Sequence, residues 1–144
     1  MKNILIISAS PRKNGNSDTL CNEFMRGAVE NGNQVKKVCL KDKNIVYCMG
    51  CGVCNTTHKC VQKDDMAELL DEMVQADVIV LATPVYFYTM DAQLKTFIDR
   101  TVPRYTEISN KEFYYIVTAA DTDKYMLEKT VESIRGFTLD CLNN

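Results

Sequence analysis

Two rhythms of apolar residues alternate along this chain. Residues 4–7 (ILII) and 77–83 (DVIVLAT) are short, nearly unbroken apolar runs, the pattern of strands buried on both faces. Residues 34–40 (QVKKVCL) and 113–119 (FYYIVTA) predict two further strands; Lys36 and Lys37 suit the former to a sheet edge. Between these runs the period lengthens. Leu20, Phe24 and Ala28 stand four apart, with Gly32 as a stop. Met66, Leu69, Leu70 and Met73 follow Asp64, a candidate cap. Leu94, Phe97 and Ile98 share one helical face, and Leu127, Val131 and Ile134 predict a last helix ending near Gly136. Pro84 is expected to close the third strand. Strands alternating with helices imply an α/β fold, a doubly wound parallel sheet with right-handed crossovers and helices on both faces.

Residues 41–63 break the pattern. This insert has no sustained period, and structureless stretches of such length are functional or disordered. The rest reads as one domain over 1–144, without repeats or linkers. A hydrophobic fraction of 46% and a net charge of −2 argue against nucleic-acid binding or a polybasic membrane patch. An anion would have to be held by local donors. The opening apolar run is too short for a signal peptide and no segment could span a bilayer, so a cytoplasmic location is expected. Thiols there stay reduced, which turns the seven cysteines toward metal or redox chemistry rather than disulfides.

In doubly wound sheets ligands sit beyond the carboxyl ends of the strands. The loop after the first strand, SASPRKNGNSDT, offers hydroxyls from Ser8, Ser10, Ser17 and Thr19, the Arg12 guanidinium and a flexible Gly15, then runs into a helix N-terminus. Free N–H groups and the positive end of the helix dipole favour a phosphate there. The loop is neither GxGxxG nor GxxxxGK[ST]. An ordinary polar turn with a Ser or Asn helix cap is the alternative.

This loop resembles the FMN-phosphate loop of the NADPH-dependent FMN reductase family of flavodoxin-like proteins. Residues 82–100 (ATPVYFYTMDAQLKTFIDR) are similar to that family's second signature, the flavin-facing loop and its helix. The resemblance runs from Met1 to about Cys141. It implies a flavodoxin-like sheet of order 2-1-3-4 with the family's fifth strand missing, FMN as cofactor, and NAD(P)H as co-substrate. Ser10, Arg12, Asn16 and Ser17 would hold the phosphate, and Pro84, Val85, Tyr86, Phe87 and Tyr88 would line the isoalloxazine. The position of Tyr88 is often small in the family, so its ring would stack on the flavin or crowd it. Core or dimer-contact roles for these side chains are the alternative. Hydride passes directly from nicotinamide to flavin, so no catalytic side chain is expected. Asp99 and Arg100 are expected to form a surface ion pair or helix-end contact; residues 118–123 (TAADTD) would close the other side of the flavin site, with a helix cap at Asp121 or Thr122 as the alternative.

The insert contains CMGCGVCNTTHKC, with Cys48, Cys51, Cys54 and Cys60 spaced x2, x2 and x5. Successive x2 gaps present thiolates to neighbouring irons, as in ferredoxin-type [4Fe–4S] binding. Gly50 and Gly52 permit the backbone reversals such a wrap needs. The array resembles the iron–sulfur flavoproteins, a subgroup of the same superfamily. A cluster, free thiols and zinc all remain open. Cys21, Cys39 and Cys141 are expected to be buried small hydrophobes. The leading reading is an FMN-dependent oxidoreductase passing electrons from NAD(P)H, or a ferredoxin-like partner, to flavin, quinone or another small acceptor. Alternatives are a non-catalytic electron carrier and a shortened chain that needs a partner to complete its sheet. An uncovered fourth strand and aromatic loops predict a homodimer or higher homo-oligomer.

Overall fold

The computed structural model describes residues 1–142. The apolar runs become strands: β1 (Asn3–Ser8), β2 (Gln34–Cys39), β3 (Val78–Tyr86) and β5 (Glu112–Thr118), with a two-residue β4 (Thr89–Met90) between the last two. Helices α1 (Asn16–Glu30), α3 (Met66–Gln75), α4 (Ala92–Asp99) and α5 (Lys124–Arg135) alternate with them, and α2 (Cys54–Thr57) is one turn inside the cysteine insert. The four long strands are parallel in the order β2-β1-β3-β5. This is the expected flavodoxin-like order, with the predicted fourth strand appearing as β5.

Strand parity sorts the core into two layers. Ile4, Ile6, Val78, Val80 and Ala82 pack beneath Cys21, Phe24 and Met25 of α1. Leu5, Ile7, Ile79 and Leu81 face Leu69, Leu70 and Met73 of α3, Leu94 and Phe97 of α4, and Ile134 of α5. Because β1 and β3 are buried on both faces, their sequences carry apolar runs in place of alternation.

Several boundaries differ from expectation. Pro84 does not end β3, which continues to Tyr86. The ladder to β1 stops at Ala82, leaving β3 paired on one side only at Pro84, where a residue without an N–H is tolerated. Gly32 does stop α1, at φ +78°. The last helix, α5, ends at Arg135 with Gly136 as its C-cap, as expected, but Gly136 keeps a helical φ of −54° and a π-helical turn follows over Gly136–Cys141. Asp123, not Asp121 or Thr122, caps α5, accepting from the Tyr125 amide at 2.9 Å. Cys21 is buried, but Cys39 is half-buried and Cys141 is exposed.

Candidate functional site

The β1–α1 loop, the end of β3 and the cysteine insert all follow carboxyl ends of parallel strands, so they lie toward one end of the sheet. In the first loop Ser10 and Ser17 are buried while Arg12 and Asn16 are exposed. Ser10 Oγ donates to the Arg12 carbonyl at 3.1 Å and accepts from the Arg12 amide at 3.3 Å. Asn14 takes a left-handed φ of +57° and Gly15 occupies the N-cap of α1. Among the described residues no side chain caps that end, so the alternative of a Ser or Asn cap does not form and first-turn N–H groups stay available to a ligand. A Cβ on Gly15 would meet Ser10 Oγ at 3.1 Å, so a larger residue there would push on the serine of the turn.

One acid stands in this positive corner. Asp18 is buried, accepts from Ser8 Oγ at 3.3 Å and from the Asn14 amide at 3.2 Å, and pairs with Lys37 of β2. Burial raises its pKa, yet Lys37 and the Asn14 amide outweigh burial and hold it below the usual carboxylate range. Lys37 thereby neutralises a charge that would repel an anion. The sequence reading assigned Lys37 only to an edge strand; the pair is non-local and leaves no spacing signal.

Beyond β3 the chain turns back through a hairpin. Tyr86 pairs with Thr89, and the two tip residues, Phe87 and Tyr88, have φ of +46° and +71°. Pro84 is buried and Val85 half-buried, whereas Tyr86, Phe87 and Tyr88 are 42%, 98% and 57% exposed. The three aromatic rings are therefore not core. Left-handed aromatic residues are strained, and strain combined with exposed rings at a sheet's carboxyl end is a feature of ligand sites. At the hairpin's base Asp91 is buried, and its Oδ1 caps α4 through the Leu94 amide at 3.0 Å. Its other oxygen has no partner among the described residues. Burial pushes its pKa up to about 6.

The insert is tied down at both ends. Asp64 accepts from the amides of Val46 and Met66 at 3.0 and 3.2 Å. The main partner of Asp64 is Arg100, whose guanidinium bonds both carboxylate oxygens at 2.7 and 2.9 Å and the Val46 carbonyl as well. Arg100 is only 2% exposed, so it is not the surface residue expected; Asp99 pairs with Lys95 instead. Burial lowers the Arg100 pKa, but Asp64 more than compensates and the net shift is upward.

Within the insert Gly50 and Gly52 take φ of +66° and +74°, the reversals expected of a loop wrapping a ligand. Cys48, Cys51, Cys54 and Cys60 line one cavity of about 200 Å³. Burial raises the pKa of Cys54, and the other three thiols push it the same way. Among the described residues no three His, Cys, Asp or Glu groups converge as a single-ion site. A larger cleft of about 850 Å³ adjoins the cavity, sharing Cys60, Gln62, Arg100 and Pro103 as its wall.

Residues 2–129 match the family described as NADPH-dependent FMN reductase. The chain belongs to this family. The iron–sulfur flavoprotein of Methanocaldococcus jannaschii is 35% identical over 138 residues, covering 94% of this chain and 71% of that protein. An iron–sulfur flavoprotein of Archaeoglobus fulgidus is 43% identical over 97 residues, covering 67% of this chain and 44% of that protein. The matched stretch is thus about half the length of several of the iron–sulfur flavoproteins it matches. Among solved structures, an azoreductase from Bacillus anthracis superposes with a TM-score of 0.77 at 16% identity, covering 99% of this chain and 82% of that one. An NADH:FMN oxidoreductase gives 0.75 at 17%, covering 99% and 70%. At those identities the superpositions establish the flavodoxin-like fold.

Proposed function

We propose that this member of the FMN reductase family is an FMN-dependent oxidoreductase that takes electrons from NAD(P)H and passes them to a small acceptor. The observation that carries the reading is the uncapped N-terminus of α1, set behind a serine- and arginine-bearing turn. The residues fit an FMN phosphate. Ser10, Ser17 and the first-turn amides would donate to it, Arg12 and Asn16 would close over it from solvent, and Lys37 cancels the one opposing carboxylate. Pro84 and Val85 would form the floor of the flavin ring site, with the exposed rings of Tyr86, Phe87 and Tyr88 as its aromatic walls. Flavin supplies the hydride- and electron-accepting ring; the chain contributes orientation, exclusion of water and nearby dipoles.

The four insert cysteines are proposed as ligands of a [4Fe–4S] cluster. Support comes from the shared cavity, the two glycine reversals and the relatives named iron–sulfur flavoproteins. The cluster would exchange single electrons with the flavin or with a ferredoxin-like partner. Anaerobic purification followed by an absorption spectrum, iron and sulfide analysis and NAD(P)H oxidation assays tests both parts. Flavin bands with NAD(P)H turnover, and about four irons per chain, are expected. Flavin binding without turnover would favour an electron carrier.

A further inference from the structure

The insert's anchor contains an under-used donor. Arg100 Nη1 and Nη2 are engaged by Asp64 and Val46, but its Nε–H is buried and makes no hydrogen bond of normal geometry among the described residues, with the Cys60 thiol its nearby weak acceptor. The Cys60 thiol lies beside the same guanidinium, and Arg100 and Cys60 both face the four-cysteine cavity. A buried N–H left unpaired is costly, and arginine's rigid fork cannot swing away to hide it. Neutral thiol sulfur is a weak acceptor, whereas sulfur carrying ligand charge is a strong one.

We propose that Arg100 is the positioning residue of the cysteine site, its fork fixing the insert through Asp64 and Val46 and its Nε–H reserved for the charged Cys60 sulfur. The assignment rests on the four cysteines being ligands, as set out above, and extends it to a residue far away in sequence. Arg100 would hold Cys60 in register with Cys48, Cys51 and Cys54. It would also favour the more reduced, more negative state of the site, because hydrogen bonds to ligating sulfur raise its potential.

The test uses the full chain with Arg100→Lys, and a second variant, Arg100→Gln/Asp64→Asn, that removes the buried charges together so that neither is stranded. In metal-free protein, backbone hydrogen exchange across residues 43–63 is expected to quicken about tenfold in Arg100→Lys, the loss of one charged hydrogen bond, while exchange in β1 and β3 stays as in wild type. After anaerobic reconstitution with iron and sulfide, both variants should show a more negative midpoint potential than wild type. Unchanged exchange, or a wild-type potential at full iron content, overturns the proposal. Should wild type take up no iron, the cluster reading fails by itself, and exchange alone decides whether Arg100 fixes the insert: quicker exchange supports that role and unchanged exchange overturns it.

Discussion

Asp91 shows most directly what a single residue costs this fold. Its buried, half-partnered carboxylate has its pKa raised to about 6, so the folded state binds a proton more tightly than the unfolded one. Such a group destabilises the protein above pH 6, and the penalty fades as pH falls through 6 toward 4. Asp91→Asn keeps the cap on α4 and removes the charge. Urea titrations should find it more stable than wild type at pH 8, by up to about 3 kcal/mol, with the gap closing by pH 4.5. An equal gap at both pH values would refute the electrostatic explanation. Asp64 behaves oppositely: burial raises its pKa, Arg100 and two amides lower it by more, and the net depression gives stability that is present near neutrality and lost only in strong acid. Arg100 itself escaped the sequence reading. An arginine at a helix end looks solvated, and only the approach of residues 46 and 64 makes it an anchor.

At the scale of elements, the apolar runs and 3.6-residue periods located every long strand and helix, because burial on one or both faces leaves a linear trace. The β3–β4 hairpin left none. Its tip, Phe87-Tyr88, lacks the Asn-Gly or Gly-rich signature of a two-residue turn, yet both residues adopt left-handed φ. Their strain is held against a free alternative, since replacing each by glycine removes a steric cost of about 1 kcal/mol. Phe87 is 98% exposed and loses no packing. Phe87→Gly is therefore expected to hold or raise the denaturation midpoint while weakening flavin binding several-fold, about 1 kcal/mol of lost aromatic contact. A fall in stability with unchanged flavin affinity would make the hairpin structural. The cysteine insert stood out from the sequence through its lack of period, its spacing and its glycines; its anchoring by Arg100 at the end of α4 did not, being a contact across 36 residues.

For the molecule as a whole, the doubly wound parallel sheet followed from the βα alternation, and its strand order from the family resemblance. What the sequence withheld were long-range charge pairs, Asp18–Lys37 and Asp64–Arg100, which depend on three-dimensional proximity alone. Among the described residues β5 pairs only with β3 and keeps an open edge, and its Tyr114 is exposed. Open edges with apolar flanks seek partners. Light scattering after gel filtration at micromolar concentration should give at least twice the chain mass, and a monodisperse monomer would count against assembly through this edge. The central claim, that the α1 N-terminus and its turn grip the terminal phosphate of FMN, is tested most directly by calorimetric titration of FMN and riboflavin into wild type and Arg12→Ala. FMN should bind wild type at least about a hundredfold more tightly than riboflavin, the worth of two charge-assisted hydrogen bonds. Arg12→Ala should narrow that ratio without changing riboflavin affinity. Equal affinities for the two flavins would contradict the account.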